Sequence, residues 1–337
     1  MKKYSENINF FKTSIFKEFN DLPINFIDIG ARGSFFNKFS PVSDITSVYA
    51  FEPDKEEIES LKKKEGKNWK NFKLFSLALG ENKNKTFLFS CVAPTNSSIF
   101  KPNPKYIRRY NMEKWKVKSK KKVTLDKLDS LLNQSANKKK IGEFIKIDTQ
   151  GSEFEILKGA KKILKNHTIG VITEVSFLEL YKNQKLFSDI EMFLRKQNFY
   201  FFGFETFHNR SKGFLSKDKY NFKERLMQTN AIFFKDPFEQ SFLDKRKIRA
   251  ICLSTMINGF FDFSLEISKR FLKEDYNYLK KFIKEIATVD IEKEIFEVNR
   301  LNDIVSKNPS QCLRNIGKFV DERRINCDFK DVFKVKV

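Results

Sequence analysis

The chain has 337 residues, 40% hydrophobic and 32% charged, long enough for one large domain with an appendage or for two domains around a sizeable core. No run approaches the roughly 18–20 apolar residues of a membrane span, residues 1–11 lack the apolar core of a signal peptide, and Cys91, Cys252, Cys312 and Cys327 form no CxxC pair, which argues against a zinc site or disulfide framework and fits a reducing cytoplasm. The formal charge of +22 invites a nucleic-acid reading. Lysine is spread along the whole chain, however, as AT-rich coding produces, and no RNA-recognition signature gathers it; nucleic acid is disfavoured as a partner, with weak peripheral attraction to anionic surfaces left as an expectation.

In chain order, residues 1–23 read as an N-terminal arm or helix, followed by strands at 24–29 and 47–52. Residues 54–64 have helical spacing, with Asp54 at the N-cap and Glu56, Glu57 and Glu59 at the end that favours acids. A third strand at 71–77 leads into Ala78-Leu79-Gly80, and 86–92 alternates as a further strand after a polar turn. Residues 93–122 read as an irregular, basic connection, and Thr124 as the cap of a short helix. A strand at 143–148, an amphipathic helix at 151–165, a strand at 169–174 and a helix at 188–197 come next. Strands at 199–204 and 230–234 bracket a polar loop, 208–225. Alternating strands and helices with a closing hairpin predict a doubly wound α/β fold, mostly parallel with an antiparallel edge. Asp236-Pro237 marks a boundary, giving a domain over 24–236 and a helical extension over 237–337.

The chemistry concentrates at strand ends. Phe26-Ile27-Asp28-Ile29-Gly30-Ala31-Arg32 runs from a buried strand into a glycine turn, and Val48-Tyr49-Ala50-Phe51-Glu52-Pro53 ends the next strand in a carboxylate. This spacing is that of one βαβ unit gripping a nucleoside, with Glu52 accepting both ribose hydroxyls. The dinucleotide pattern G-x-G-x-x-G fails at Arg32 and Phe35, which disfavours NAD. An acid two residues before the glycine suits a ligand with an ammonium group, as in S-adenosylmethionine, which Asp28 can help to hold. The segment Phe144-Ile145-Lys146-Ile147-Asp148-Thr149-Gln150-Gly151-Ser152-Glu153 delivers Asp148 to the same carboxyl edge, as 170–174 does Glu174. Four acids, Asp28, Glu52, Asp148 and Glu174, are therefore expected on one rim.

These segments, with LALGEN, VTLDKL and ILKGA between and after them, resemble the FkbM family of S-adenosylmethionine-dependent methyltransferases over residues 24–235. The resemblance implies a class I methyltransferase (Rossmann-like) fold with a seven-stranded sheet, and O-methylation of a sugar, glycan or related natural product. It places Asp28, Gly30, Ala31 and Arg32 in the first cofactor loop, Glu52 and Pro53 at the ribose, Ala78 and Leu79 beside the adenine, and Asp148, Gly151 and Glu153 near the transferred methyl. It also brings Asn96, Ser97, Ser98, Gln150 and Glu174 forward as substrate contacts. Arg32 and Ser34 depart from residues common in the family, and Gln150 replaces a frequent Glu, which makes it a poor base.

Each assignment has a plainer counterpart. Asp148 is the first candidate base but also a natural N-cap, Glu153 also suits a helix start, and Glu174 also suits a lysine partner. Lys146, in mid-strand, is expected to snorkel to an edge. His208, the second candidate base, is expected in a solvated loop, and with only two histidines a histidine-rich metal site is not expected. Asn96–Ser98 also suit a loop, and the basic stretch 105–122 a solvated face. Two alternatives to an O-methyltransferase stand: a catalytically degenerate S-adenosylmethionine-binding module, and an RNA-modifying methyltransferase. The sequence does not speak to oligomeric state.

Overall fold

A computed structural model describes residues 3–33, 35–65, 68–133, 142–216, 222–240 and 243–288. Its strands are β1 (Ile24–Ile29), β2 (Thr46–Phe51), β3 (Asn71–Phe75), β4 (Ala78–Leu79), β5 (Asn84–Cys91), β6 (Val117–Asp126), β7 (Phe144–Ile147), β8 (Gly170–Ser176), β9 (Tyr200–Arg210) and β10 (Arg225–Phe234). Seven form one sheet in the order β3-β2-β1-β7-β8-β10-β9. All neighbours are parallel except at β10, which runs antiparallel to both β8 and β9. This is the doubly wound, mostly parallel seven-stranded arrangement expected from the sequence. The antiparallel strand lies one place in from the edge, because the crossover helix Phe187–Arg195 carries the chain from β8 past an open slot to β9, and the hairpin return fills that slot.

Alternation sorts the strand residues onto two faces. Phe26, Val48, Phe144, Ile172, Ile232 and Phe234 point into one core. Phe10 and Phe19 of the N-terminal segment share it with Ala250, Ile251 and Phe282 of the helices Lys245–Ile257 and Tyr276–Ala287. Ile27, Ile29, Ile145, Ile147, Val171 and Phe233 point into the other, against Ile156, Leu157, Leu164, Ile190 and Leu194. Buried Arg246 grips Glu143 with two bonds (Nε–Oε1 2.7 Å, Nη2–Oε2 2.9 Å) and donates to the carbonyls of Leu22 and Pro23. Every charge in this clamp is therefore matched, as a buried pair requires. Residues 1–212 and 225–286 make one compact unit. A second unit comprises 213–224 and 287–337, of which 213–216, 222–224 and 287–288 are described. The part of the expected helical extension from 289 onward lies outside the described residues.

Four local expectations are corrected. Residues 117–126, expected as loop and helix cap, are β6, paired antiparallel with β5 and parallel with β4 in a small three-stranded sheet. Its lysines 118, 120, 121 and 122 are exposed, so backbone pairing makes the strand and no apolar alternation announces it. Thr124 sits in that strand, and the helix starts at Leu128. The helix at 151–165 is two short helices, Glu153–Lys158 and Lys161–Asn166, broken at Gly159, where a Cβ would lie 2.1 Å from the carbonyl oxygen of Gly80. Finally, β9 and β10 continue into the expected polar loop, so His208 stands on a strand opposite Gln228.

Candidate active site

The strand order reverses between β1 and β7, and in open α/β sheets ligands bind at the carboxyl edge beside such a reversal. Here the turn after β1 meets the turn after β7. The Asp148 N–H donates to Ile29 O at 3.0 Å, and a Cβ on Gly30 (φ +80°) would lie 1.9 Å from Asp148 O. Only glycine fits that crossing. Gln150 takes a left-handed conformation (φ 59°), uncommon away from glycine and frequent at functional turns.

Above the crossing lies a partly open cleft that receives the ends of β1, β2 and β7. Of the residues singled out in the sequence, Gly30, Arg32, Glu52, Pro53, Ala78, Leu79, Ser97, Ser98, Asp148 and Gln150 line it. Ile29, Phe51, Leu77, Leu88 and Ile99 add apolar wall. The small sheet supplies much of one side: β4 carries Ala78 and Leu79, and alternation along β5 turns Leu88 inward.

Glu52 is nearly buried, with Oε1 accepting from the Asp54 N–H (3.0 Å) and from Arg32 Nη2 (3.5 Å). Its Oε2 accepts no hydrogen bond among the described residues. Burial pushes this carboxyl up, against the pull of the Asp54 N–H and the guanidinium. Arg32 also reaches Asp54 at 2.9 Å and Glu57 at 3.5 Å, so three acids fix its position. Asp148 is the more open acid: its side chain is 36% exposed, Gln150 Nε2 donates to its Oδ1 at 3.0 Å, and Lys146 Nζ lies 3.9 Å from Oδ2. It does not cap the following helix, which has no side-chain cap; Glu153 instead ties down the turn before it, accepting from the N–H groups of Thr149 (2.8 Å) and Gly151 (2.9 Å).

The remaining candidates stand behind or beside the cleft. Asp28 is fully buried, its Oδ2 bonded to the Phe36 N–H at 2.9 Å and its Oδ1 3.3 Å from Lys146 Nζ. Burial raises its pKa and Lys146 opposes that rise. Ala31 packs into the core beneath the turn. Glu153 is buried, and burial pushes its carboxyl up to about 7. Glu174 is buried as well and pushed well above its ordinary value by burial and by Asp148 and Glu153. Among the described residues it forms no ion pair with a lysine; Gln150 (3.1 Å) and Gln228 (2.9 Å) donate to it. Ser97 Oγ accepts from the Cys91 N–H and Ser98 Oγ from the Phe100 N–H, both loop-forming bonds. Asn96 and exposed His208 line a neighbouring cleft. Burial and Arg210 lower the His208 pKa, and Asp148 raises it.

Lys146 does not snorkel outward. Its Nζ donates to Gly30 O at 3.1 Å between Asp28 and Asp148, and although burial alone would lower its pKa, those two carboxylates raise it. The sequence reading also passed over Tyr181, whose buried hydroxyl lies within hydrogen-bond reach of Asn96 O (2.9 Å) and Gln150 Oε1 (3.0 Å). Nothing about an isolated tyrosine or about Gln228 marks either in the sequence. Among the described residues no group of three or more His, Cys, Asp or Glu is placed to hold a metal, and no helix is long and apolar enough to cross a membrane.

Compared with known proteins, residues 28–201 match the Methyltransferase FkbM domain. Among solved structures, the chain is similar to methyltransferase FkbM from Methylobacillus flagellatus KT, at 13% identity and a TM-score of 0.36, over 63% of this chain and 43% of that one. The match thus spans less than half of that protein's length. It is also similar to magnesium protoporphyrin IX methyltransferase from Synechocystis PCC 6803, a structure with S-adenosylmethionine bound, at 10% identity and a TM-score of 0.32, over 66% and 74% of the two chains. The comparison with curated proteins gives no match.

Proposed function

We propose that this chain, which belongs to the FkbM methyltransferase family, transfers a methyl group from S-adenosylmethionine to a hydroxyl of a sugar, glycan or related natural product. The observation that carries this reading is the cleft at the strand reversal, with Glu52 on one wall and Asp148 on the other. The residues present fit the cofactor. Glu52 keeps one oxygen open for ribose hydroxyls, Gly30 leaves the turn without a side chain, and Phe51, Leu77, Leu79 and Leu88 offer apolar surface for a purine. No phosphate cradle is needed, and the failed second and third glycines supply none.

When bound, the cofactor supplies a methyl on a positively charged sulfur; the acceptor oxygen bonds to that carbon as the sulfur–carbon bond breaks, and the hydroxyl proton is released. In this reading Asp148 takes the proton, supported by its position on the cleft and its exposure to solvent. Gln150 orients it through Oδ1, and Lys146 faces Oδ2. General-base assistance is worth about 10²–10⁴-fold in rate, and alignment of the two reactants contributes the rest, on the order of 7–11 kcal/mol at best.

The test pairs titration calorimetry of S-adenosylmethionine with tritiated methyl transfer to a panel of glycosides. Asp148→Asn is expected to bind cofactor within a few-fold of the native protein and to lose about 10²–10⁴ in kcat. Native-like turnover in that variant removes Asp148 as the base, and absence of cofactor binding in the native chain overturns the whole reading.

A further inference from the structure

Beside the cofactor cleft lies a second, larger one of about 720 Å³, open to solvent. The two share Thr95, so the peptide at Thr95–Asn96 is the partition between them. The floor of the second cleft is apolar and packed. Met112, Trp115, Leu180 and Met227 belong to a small core of their own, in which Trp115 packs on Tyr181 with ring centroids 5.0 Å apart. A chain of polar contacts crosses the partition. Gln228 Nε2 donates to Glu174, Gln150 Nε2 donates to both Glu174 and Asp148, and the Tyr181 hydroxyl stands between Asn96 O and Gln150 Oε1. What enters the second cleft therefore meets Asn96 and Gln228, which connect through Tyr181 and Glu174 to Gln150, the partner of Asp148.

The charges lining this cleft are unbalanced. Its one acid, Glu113, is paired with Lys116 at 2.5 Å. Lys114 and Arg210 line the same cleft and have no carboxylate partner among the described residues. Gln228 adds an unmet demand: its Oε1 is buried and accepts no hydrogen bond among the described residues, a condition that costs about 1–3 kcal/mol unless a donor arrives. Two free cations, an aromatic and thioether floor, neutral hydrogen-bonding groups on Asn96 and Gln228, and an orphan acceptor describe a ligand with an anionic group, a ring and hydroxyl donors.

We propose that this second cleft seats the methyl acceptor, and that the acceptor is a hydroxylated ring bearing a carboxylate or phosphate, its anionic group held by Arg210 and Lys114 while a hydroxyl passes the Thr95–Asn96 partition to reach Asp148. This rests on the methyl-transfer reading above and narrows it to anionic acceptors. Arg210 and Lys114 act in binding and take no part in the bond-making step. Carboxylate and phosphate share the recognition chemistry, so the experiment separates them.

The full chain is given tritiated S-adenosylmethionine with three probes: methyl glucoside, methyl glucuronide and glucose 1-phosphate. The expected result is label entering one or both anionic probes with kcat/KM at least about tenfold above the neutral glucoside. Arg210→Gln and Lys114→Gln are each expected to raise KM for the labelled anionic probe by about tenfold, the value of one charge-assisted hydrogen bond near a surface, with kcat and cofactor affinity unchanged. Which anionic probe is labelled assigns carboxylate or phosphate. Equal labelling of the neutral probe, variants that leave KM unchanged, or no label in any probe while the cofactor binds each overturn the anionic-acceptor assignment and leave the cofactor reading standing. Failure to bind the cofactor overturns the reading beneath it.

Discussion

Replacing Glu52 by Gln gives the sharpest test of how the nucleoside is held. The side chain is 6% exposed and already has two partners on Oε1, the Asp54 N–H and the Arg32 guanidinium. A glutamine oxygen can keep the bond from Asp54, so the loop is expected to hold, and Asp54 and Glu57 still anchor Arg32. What changes is the open side, where a carboxylate that accepts two ribose hydroxyls becomes an amide that donates. A hydrogen bond to a charged group contributes about 1.5–3 kcal/mol against about 0.5–1.5 kcal/mol for a neutral one. Over two hydroxyls the loss is about 2–3 kcal/mol, a rise in Kd of about 30- to 150-fold. Titration calorimetry at pH 7.5 reads this directly, with thermal melts of both proteins as the control for folding. The direction of the pH effect follows from burial, which raises the Glu52 pKa. Only the ionised form accepts from both hydroxyls, so native affinity falls as pH drops through that raised pKa, and the Gln variant does not follow. A Kd within threefold of native, with the same pH dependence, would refute Glu52 as the ribose ligand.

Two further outcomes concern stability. Arg246→Ala strands Glu143 in the core next to the start of β1 and is expected to cost about 3–5 kcal/mol in urea unfolding; a loss under 1 kcal/mol contradicts the clamp. Glu153 is an acid whose pKa burial lifts from 4.5 to about 7, so between those values the folded chain keeps a proton that the unfolded chain has released. Its contribution is complete below about pH 4.5 and is lost as pH rises through about 7, so the urea midpoint should decline over that window. Glu153→Gln should flatten the decline in part, with Glu174 keeping a remainder because it is raised in the same sense. Parallel declines in native and variant proteins contradict this account.

The large sheet was legible because its parallel strands are buried on both faces and read as nearly unbroken apolar runs bounded by glycine, proline or acid. The small sheet was not. Its strand β6 presents lysines to solvent and makes its ladder with β5, between 26 (Cys91–Val117) and 41 (Asn84–Leu125) residues upstream, and neither fact leaves a periodic apolar trace. The same holds for the outer half of β9, whose residues 206–210 are exposed and pair with β10 beyond the main core. The break at Gly159 was hidden for another reason. Apolar spacing runs through it unchanged, and the approach of Gly80 O from a distant loop, closer than any Cβ allows, explains only why the residue there is glycine.

The site divides along a similar line. Residues at the ends of β1, β2 and β7 were readable because strand ends and turns announce themselves locally, and the structure brings Gly30, Glu52 and Asp148 to one cleft. Partnerships across strands were not readable one segment at a time, and Lys146 is the clearest case. Read alone, a lysine in an apolar strand has no better destination than an edge. Yet the doubly wound order sets β1 beside β7, and Asp28 and Lys146 each stand two residues before the turn that ends their strand. The register aligns them directly, Asp28 opposite Lys146. The consequence is electrostatic. The acid expected to receive a ligand ammonium already faces a buried lysine ammonium at 3.3 Å, and that same lysine lies 3.9 Å from Asp148. A buried cation is thus held between the first turn and the proposed base, and in this arrangement Asp28 acts by fixing Lys146 in place.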